Sequence, residues 1–535
     1  MKEKLSSLDS QLGDMDWLRQ WARLAPSSIA IEDGETRFGI SYGEFYEVSC
    51  RLADKMASQW GVGVGDRVAM LATTELEAVV LFMSTMRLGA TLVPINFRLA
   101  AAEIEHVLED SSPILLIAQE SFSSTLALVS PKAMTERRWS FDGDGSLTAF
   151  VQNCIRDIRT KQSAATLRQA LRANSQPEWH RNLACSDNEP CMILYTSGTT
   201  GKPKGAMITP KMLFWNSLNT TLRLNLSQSD VFVSFLPLFH TGGWNVLLTP
   251  FLHRGAKTVL LKKFDADRIL SLCELEKATI MFGVPTTMEM LARSPIFEKT
   301  DLSSVRYAIV GGEPMPIDLI NVWQKRNIPI RQGYGLTEFG PNVFSLNEED
   351  STRKIGSIGF PNFYIQTRVV DDQGRDLPQG EIGELLLKGP VCSPGYWRNE
   401  KATKETIVDG WLCTGDLVRY DEEGYFYVAG RKKEMFKSGG ENVYPVEIER
   451  VLSQHPEIRE VAVIGVPDAK WGEVGRAYIV PAPGISLSPD QVIGFCTDKL
   501  AKFKIPKQVE FLDELPKGDS GKILKRVLKE KALST

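Results

Sequence analysis

The residues of this 535-residue chain best equipped for chemistry lie between Leu194 and Met207, in the stretch LYTSGTTGKPKGAM. A short apolar run, Met192-Ile193-Leu194, reads as a buried strand that breaks into glycines, hydroxyls and lysines. Gly198, Gly201 and Gly205 permit positive φ and leave no side chain to obstruct a close ligand. Thr196, Ser197, Thr199 and Thr200 add hydroxyl donors, and Lys202 and Lys204 add positive charge. Backbone amides turned inward by such a loop form an anion-binding concavity. The GxxxxGK[ST] spacing of a Walker loop is missing, and Pro203 stops a helix from starting after Lys202. The loop is therefore expected to cradle phosphate, a bare polar surface loop being the alternative.

Further stretches carry groups that suit a phosphate ligand, though each has a bland reading when alone. Gly311-Gly312-Glu313 follows a strand-like run ending at Val310, and the C-terminal ends of parallel strands are where α/β sheets bind ligands. Gly333-Tyr334-Gly335-Leu336-Thr337-Glu338 offers backbone access, an aromatic face, a hydroxyl and a carboxylate. A carboxylate beside bound phosphates suits Mg²⁺, which takes one or two carboxylates plus phosphate oxygens and water; an isolated Thr-Glu pair would only start a helix. Thr414-Gly415-Asp416 places an acid after a tight turn, where it could accept from both hydroxyls of a ribose. RKKEMFKSGGENVY, Arg431 to Tyr444, reads as a basic junction or a solvated linker. Leu515 to Lys522 is a flexible loop ending in a lysine ahead of a helix, and His240 sits after a strand in the glycine-rich turn FHTGGW.

These groups need a frame. The length predicts three or four structural units, because single cores rarely exceed roughly 250–300 residues. Composition is 43% hydrophobic and 24% charged, ordinary for a globular enzyme, and the net charge of −4 argues against nucleic-acid or membrane binding by bulk charge. Eight scattered cysteines without a CxxC pair read as reduced thiols rather than a zinc site. With no apolar leader and no run approaching 18 apolar residues, the expectation is a cytoplasmic protein without a spanning helix.

Residues from about 15 to 60 look helical, with segments opening at Asp16 and running from Tyr42 to Gln59. From Arg67 strands and helices alternate: Arg67–Ala72, a helix over 75–88, Thr91–Ile95, a helix over 101–109, and Pro113–Ile117. Between about 120 and 185 the pattern degrades into an irregular excursion with one helix near 147–158. Strands resume at Asp230–Phe235, Lys257–Leu261, Ala278–Phe282 and Val305–Val310. This alternation predicts an α/β fold built on parallel sheets. From about 355, short strands and turns predict a small barrel-like β subdomain, and the last hundred residues predict a small α+β domain.

Taken in order and spacing, YTSGTTGKPKG, YGLTE, TGD, GRKKE and the terminal GK resemble the adenylate-forming superfamily of acyl-CoA synthetases, adenylation domains and luciferases, over about residues 15 to 530. The resemblance implies a large N-terminal domain, 1–431, and a mobile C-terminal domain, 432–535, hinged near Lys433. It implies ATP, Mg²⁺ and coenzyme A, with a carboxylate first adenylated and then passed to the thiol. Thr196, Ser197, Gly198, Thr199, Thr200, Gly201 and Lys204 would hold the β- and γ-phosphates; Thr337 would contact the α-phosphate and Glu338 the Mg²⁺. Gly312, Glu313, Gly333, Tyr334 and Gly335 would surround adenine, while Asp416 and Arg431 fix the ribose. Lys522 would bridge the carboxylate and the α-phosphate as a cation. Lys437 would approach the second-step site, and Ser438, Gly439 and Gly440 would line the pantetheine tunnel.

The resemblance at LPLFHTGGW is to acyl- and aryl-CoA ligases. His240 stands where amino-acid-activating relatives commonly place Asp, which argues against an amino acid and implies a gate to the acid pocket. Trp244 falls where some fatty-acyl-CoA synthetases carry a tryptophan gate, a plain core tryptophan being the alternative. Gly283, Gly311 and Gly333 leave room for a chain or ring, and Glu313 replaces a smaller residue found in many relatives. The expected substrate is a medium- or long-chain fatty acid, then an aryl acid, in a monomer or homodimer that binds no nucleic acid and leaves peripheral membrane contact open. Three other classes stay in view: an acyl-AMP ligase loading a separate carrier protein, since the chain ends soon after Lys522; a non-catalytic nucleotide-binding relative; and a luciferase-like monooxygenase, because fold does not fix function.

Overall fold

A computed structural model describes residues 16–161, 183–184, 186–196, 202–518 and 523–534. Two sheets form the frame of the N-terminal part. The first has six strands in the order Arg138–Ser140, Leu115–Ala118, Arg67–Leu71, Thr91–Pro94, Met192–Thr196, Lys204–Ile208. All pair in parallel except the last, which returns antiparallel on Met192–Thr196. The strand cores are buried Val, Leu, Ile and Met, the near-continuous apolar runs of a sheet covered on both faces. One cover, the helix Leu76–Arg87, is buried at every residue. Its last residue, Arg87, is fully buried and donates to Asp16 Oδ2 at 2.8 Å and to Ser49 Oγ. Asp16 also caps the helix Trp17–Leu24, which ties that helix to the body.

The second sheet has nine strands, ordered Phe360–Pro361, Phe344–Ser345, Ile330–Tyr334, Tyr307–Val310, Ile280–Gly283, Val231–Ser234, Lys257–Leu260, Ile29–Asp33, Gly39–Ser41. Its six middle strands, from Ile330–Tyr334 to Ile29–Asp33, are parallel. The two strands before residue 42 correct the expectation of helix over about 15 to 60. IAIED is a strand because it pairs with Lys257–Leu260, more than two hundred residues away, a partner no local pattern reveals. A second correction concerns the excursion after residue 120: Arg138–Ser140 is the edge strand of the six-stranded sheet, followed by the helix Leu147–Lys161.

Beyond residue 365 the pairing is antiparallel, except that Gln508–Phe511 lies parallel to Gly472–Pro481. Gln366–Val370, Gly383–Lys388, Trp411–Tyr420, Ile407–Val408 and Phe426–Arg431 make one five-stranded sheet. Thr414-Gly415-Asp416, expected after a tight turn, lies inside the long strand Trp411–Tyr420. There the pairing to Gly383–Lys388 slips, with Glu384 opposite Leu417 but Leu386 opposite Cys413, and Gly415 takes φ +67°. The acid sits on a bulge, which re-aims side chains next to a site. The last sheet holds Glu441–Val443, Phe436–Ser438, Gly472–Pro481, Ile458–Asp468 and Gln508–Phe511, flanked by the helices Pro445–Leu452, Pro489–Cys496 and Lys525–Ser534. The segment read as a basic junction is thus partly a hairpin, closed by Gly439 and Gly440 at φ +61° and +88°, the two-residue turn that suits sheet twist. Among the described residues no helix is long and apolar enough to cross a membrane.

Candidate active site

The strands Tyr307–Val310 and Ile330–Tyr334 are neighbours, and they end side by side in Gly311-Gly312 and Gly333-Tyr334. Across from them, Asp416 is buried on its bulge. Tyr334 Oη donates to Asp416 Oδ2 at 2.5 Å, and Arg431 Nε donates to Oδ1 at 2.8 Å from the adjacent strand. Thr414 Oγ1 accepts from the Asp416 amide, which fixes the bulge. Burial first, then the Asp416 charge, push the Tyr334 phenol well above its ordinary value, so it stays a donor. Gly335 is required by contact: a Cβ there would lie 2.0 Å from the Pro341 carbonyl oxygen. Gly312 has φ +86° and is exposed, and Glu313 beside it is half-buried.

The phosphate side is built on the hairpin of Met192–Thr196 and Lys204–Ile208, in which Thr196 stands opposite Lys204. Ser197, Gly198, Thr199, Thr200 and Gly201 lie outside the described residues. Thr337 and Glu338 occupy one short 3₁₀ turn, Thr337–Phe339, and both are half-buried. Glu338 Oε1 accepts from Tyr396 Oη at 2.7 Å, and the Lys204 ammonium lies 5.4 Å from the Tyr396 ring centre. The donor set fits Mg²⁺ held by one carboxylate and phosphate oxygens. Glu338 has a second oxygen to offer beside the Thr196–Lys204 hairpin, and this mode needs no protein cage of several ligands. Among the described residues no cluster of three or more His, Cys, Asp or Glu could form such a cage.

Tyr396 was not singled out from the sequence. Its signal, a Gly-Tyr-Trp run after a strand, carries no chemistry by itself; the hydroxyl matters because a strap from Ser393 to Trp397 crosses the hairpin. Trp397 N donates to Gly205 O, Met207 N to Gly395 O, and Ser393 N to Glu338 O at 2.9 Å.

On the acid side, His240 follows the turn after Val231–Ser234. Its amide donates to Pro237 O, and its half-buried ring lies 4.6 Å from that of Phe239. The chain then makes a π-helical turn, Gly242–Val246, an irregularity often found at functional sites and unmarked in the sequence. Trp244 within it is fully buried, packs 5.0 Å from Phe82 and donates its indole N–H to Leu238 O. In this conformation it is a core tryptophan. Gly283 is crowded, since a Cβ would fall 2.7 Å from Thr287 Oγ1; at Gly311 and Gly333 a Cβ would meet only van der Waals contact, with Gly333 O at 3.6 Å and Phe344 O at 3.5 Å.

Lys433 is exposed in the turn after Arg431. Lys432 before it pairs with Glu384 of the five-stranded sheet and with Asp372 in the turn after Gln366–Val370, while Glu434 after it pairs with Lys525 of the C-terminal helix. Lys437 is exposed on the following hairpin, Ser438 is buried opposite Gly472, and Gly439 and Gly440 are exposed at its tip. Lys522 lies outside the described residues.

A hairpin of hydroxyl and ammonium groups, a lone carboxylate beside it, and a carboxylate–guanidinium pair at two glycine-rich strand ends define an adenylate-forming enzyme. The chain belongs to the AMP-binding enzyme family: that family's model matches residues 18–397, and the model of the AMP-binding enzyme C-terminal domain matches 447–522. It is 37% identical to a feruloyl-CoA synthase of Amycolatopsis sp over 95% of this chain and 97% of that one. It is 37% identical to the indoleacetate–CoA ligase of Aromatoleum aromaticum (95% and 96%), and 34% identical to the long-chain-fatty-acid–CoA ligase FadD13 of Mycobacterium tuberculosis (97% and 98%). Among solved structures, ATP-bound MatB from Rhodopseudomonas palustris matches at TM-score 0.83 and 33% identity, covering 97% of this chain and 99% of that one. The anthranilate–CoA ligase AuaEII in complex with anthranoyl-AMP matches at TM-score 0.85 and 29% identity, covering 97% and 96%. The protein is an AMP-forming acid–CoA ligase that uses ATP, Mg²⁺ and coenzyme A.

Proposed function

We propose that the acid is a compact aromatic or arylalkanoic carboxylate. The observation that carries this reading is the slot at Gly311 and Gly333, two side-chain-free strand ends where even a Cβ would meet nothing closer than van der Waals contact and against which a flat ring could lie. Trp244, the feature that favoured a long chain, is occupied in the core. Relatives named for feruloyl and indoleacetate substrates at 37% identity support the same reading. A medium- or long-chain fatty acid is the second reading, favoured by the 34% identity to FadD13.

In the first step a carboxylate oxygen attacks the α-phosphorus and the bond to pyrophosphate breaks; in the second the coenzyme A sulfur attacks the acyl carbon and AMP leaves. Both first-step reactants are anions, so positioning and charge stabilisation dominate. Lys204 and Thr196, with the loop from Ser197 to Gly201, would hold the leaving phosphates, and Thr337 would contact the α-phosphate. Glu338 would hold Mg²⁺, which neutralises charge on phosphate oxygens. Asp416, already oriented by Tyr334 and Arg431, would accept from ribose hydroxyls, with Gly312, Glu313 and Gly335 around the base. His240 and Gly283 would border the acid, and Lys522 would bridge carboxylate and α-phosphate. We place the domain boundary at 431/432, with Lys433 the hinge and Lys437, Ser438, Gly439 and Gly440 facing the thiol substrate.

Gly311→Leu tests the slot. The KM for the acid should rise roughly tenfold or more while the KM for ATP stays within about threefold. An unchanged acid KM would contradict it.

A further inference from the structure

We infer that Tyr396 is a positioning residue that sets the Mg²⁺-binding carboxylate, and that it does so by touching both charges of the phosphate site at once. The inference rests on the reading of Glu338 as the metal-holding group. Tyr396 Oη donates to Glu338 Oε1 at 2.7 Å, which fixes the carboxylate's rotation and occupies one of its two oxygens. A carboxylate so anchored presents the other oxygen in one direction, as partners behind metal ligands do. The face of the same ring lies 5.4 Å from the Lys204 ammonium, within range of a cation–π contact.

The backbone around Tyr396 is fixed on three sides, which a positioning role requires. Its amide donates to Thr403 Oγ1 at 2.9 Å. Residues 395 and 397 are hydrogen-bonded to the strand Lys204–Ile208, and Tyr396 itself forms an antiparallel bridge with Ala206. Ser393, three residues earlier, donates its amide to Glu338 O and its hydroxyl to Met207 O. Gly395, at φ +128°, lets the chain pass: a Cβ there would meet the Thr403 side chain at 2.3 Å. The strap therefore holds the strand leaving the phosphate loop and the turn carrying Glu338 in one frame, and Tyr396 is the side chain that reaches both.

Tyr396→Phe removes the hydroxyl and keeps the ring; Tyr396→Leu removes both. Equilibrium binding of ATP by titration calorimetry, with 10 mM-class Mg²⁺ (on the order of ten times the ATP) or with EDTA, separates the metal's contribution from that of the nucleotide. Tyr396→Phe should weaken MgATP binding about tenfold, and up to about a hundredfold, while metal-free ATP binds as in the parent protein. Saturating Mg²⁺ should recover much of the loss. Tyr396→Leu should in addition weaken metal-free ATP, because Lys204 loses its support. Parent-like metal-free ATP binding by Tyr396→Phe also shows that this variant is folded. Glu338→Gln is the reference: if it loses the Mg²⁺ effect while Tyr396→Phe keeps it, the inference about Tyr396 is overturned. If Glu338→Gln keeps the Mg²⁺ effect, the underlying reading of Glu338 fails instead.

Discussion

Asp416 and Arg431 face each other across adjacent antiparallel strands, and the Arg431 Nε to Asp416 Oδ1 distance is 2.8 Å. The pair is built from a bulge on one strand and the last residue of the other, with Tyr334 donating to the remaining carboxylate oxygen. Both oxygens thus have a fixed partner before any ligand arrives, and their direction is set by the protein rather than by the nucleotide.

Asp416→Asn keeps the shape and removes the charge that Arg431 and Tyr334 orient. A hydrogen bond to a charged group is worth roughly 1.5–3 kcal/mol, so the KM for ATP should rise about ten- to a hundredfold. Titration of ATP in pyrophosphate exchange measures it; an ATP dependence like the parent's would remove Asp416 from the nucleotide site.

Lys433 is bracketed by two different anchors, Lys432 on Glu384 of the five-stranded sheet and Glu434 on Lys525 of the C-terminal helix. A change of backbone angle at residue 433 would move one against the other, the behaviour expected of a hinge. Lys433→Pro should leave pyrophosphate exchange within about twofold and cut thioester formation at least roughly tenfold, because only the second step requires the rotation. Equal loss of both half-reactions, or of neither, would refute the hinge.

Glu77 lies on the fully buried helix Leu76–Arg87, and burial, with a smaller contribution from Glu75, pushes its carboxyl up to about 7. A carboxyl raised in the folded state holds its proton while the unfolded chain has lost it. Its contribution to stability is therefore complete below about 4.5 and is lost as pH rises to about 7, with no further change above. Glu77→Gln should flatten that slope and raise the melting temperature at pH 8. The interval from 4.5 to about 7 caps the gain at about 3 kcal/mol. Thermal unfolding at pH 5, 6, 7 and 8 gives the answer, and a variant with the parent's slope would assign the pH dependence elsewhere.

What could be read from the chain alone followed the physics of each segment. Strands such as Arg67–Leu71 and Tyr307–Val310 were legible because the core of a doubly covered strand must be apolar, and at Tyr307–Val310 because Gly311-Gly312 mark its ligand-facing end. Ile29–Asp33 and Arg138–Ser140 were not, because short strands at or next to a sheet edge owe their form to distant partners. The Asp416 acid was visible in TGD, but its bulge depends on register against Gly383–Lys388. Tyr396 carried no signal, since a tyrosine becomes a partner of Glu338 only once the strap lies across the hairpin. Trp244 was assigned to the acid pocket by resemblance, and only its packing on Phe82 shows what its ring touches.

The proposed activity is adenylation of a compact aryl acid and its transfer to coenzyme A. Pyrophosphate release and thioester formation should be measured with ferulic, indoleacetic and dodecanoic acids, each with and without coenzyme A. An aromatic acid should release pyrophosphate and give thioester only when coenzyme A is added, with kcat/KM at least roughly tenfold above dodecanoic acid, the scale of discrimination an apolar pocket can supply. A kcat/KM highest for dodecanoic acid, or thioester from none of the three, would contradict it.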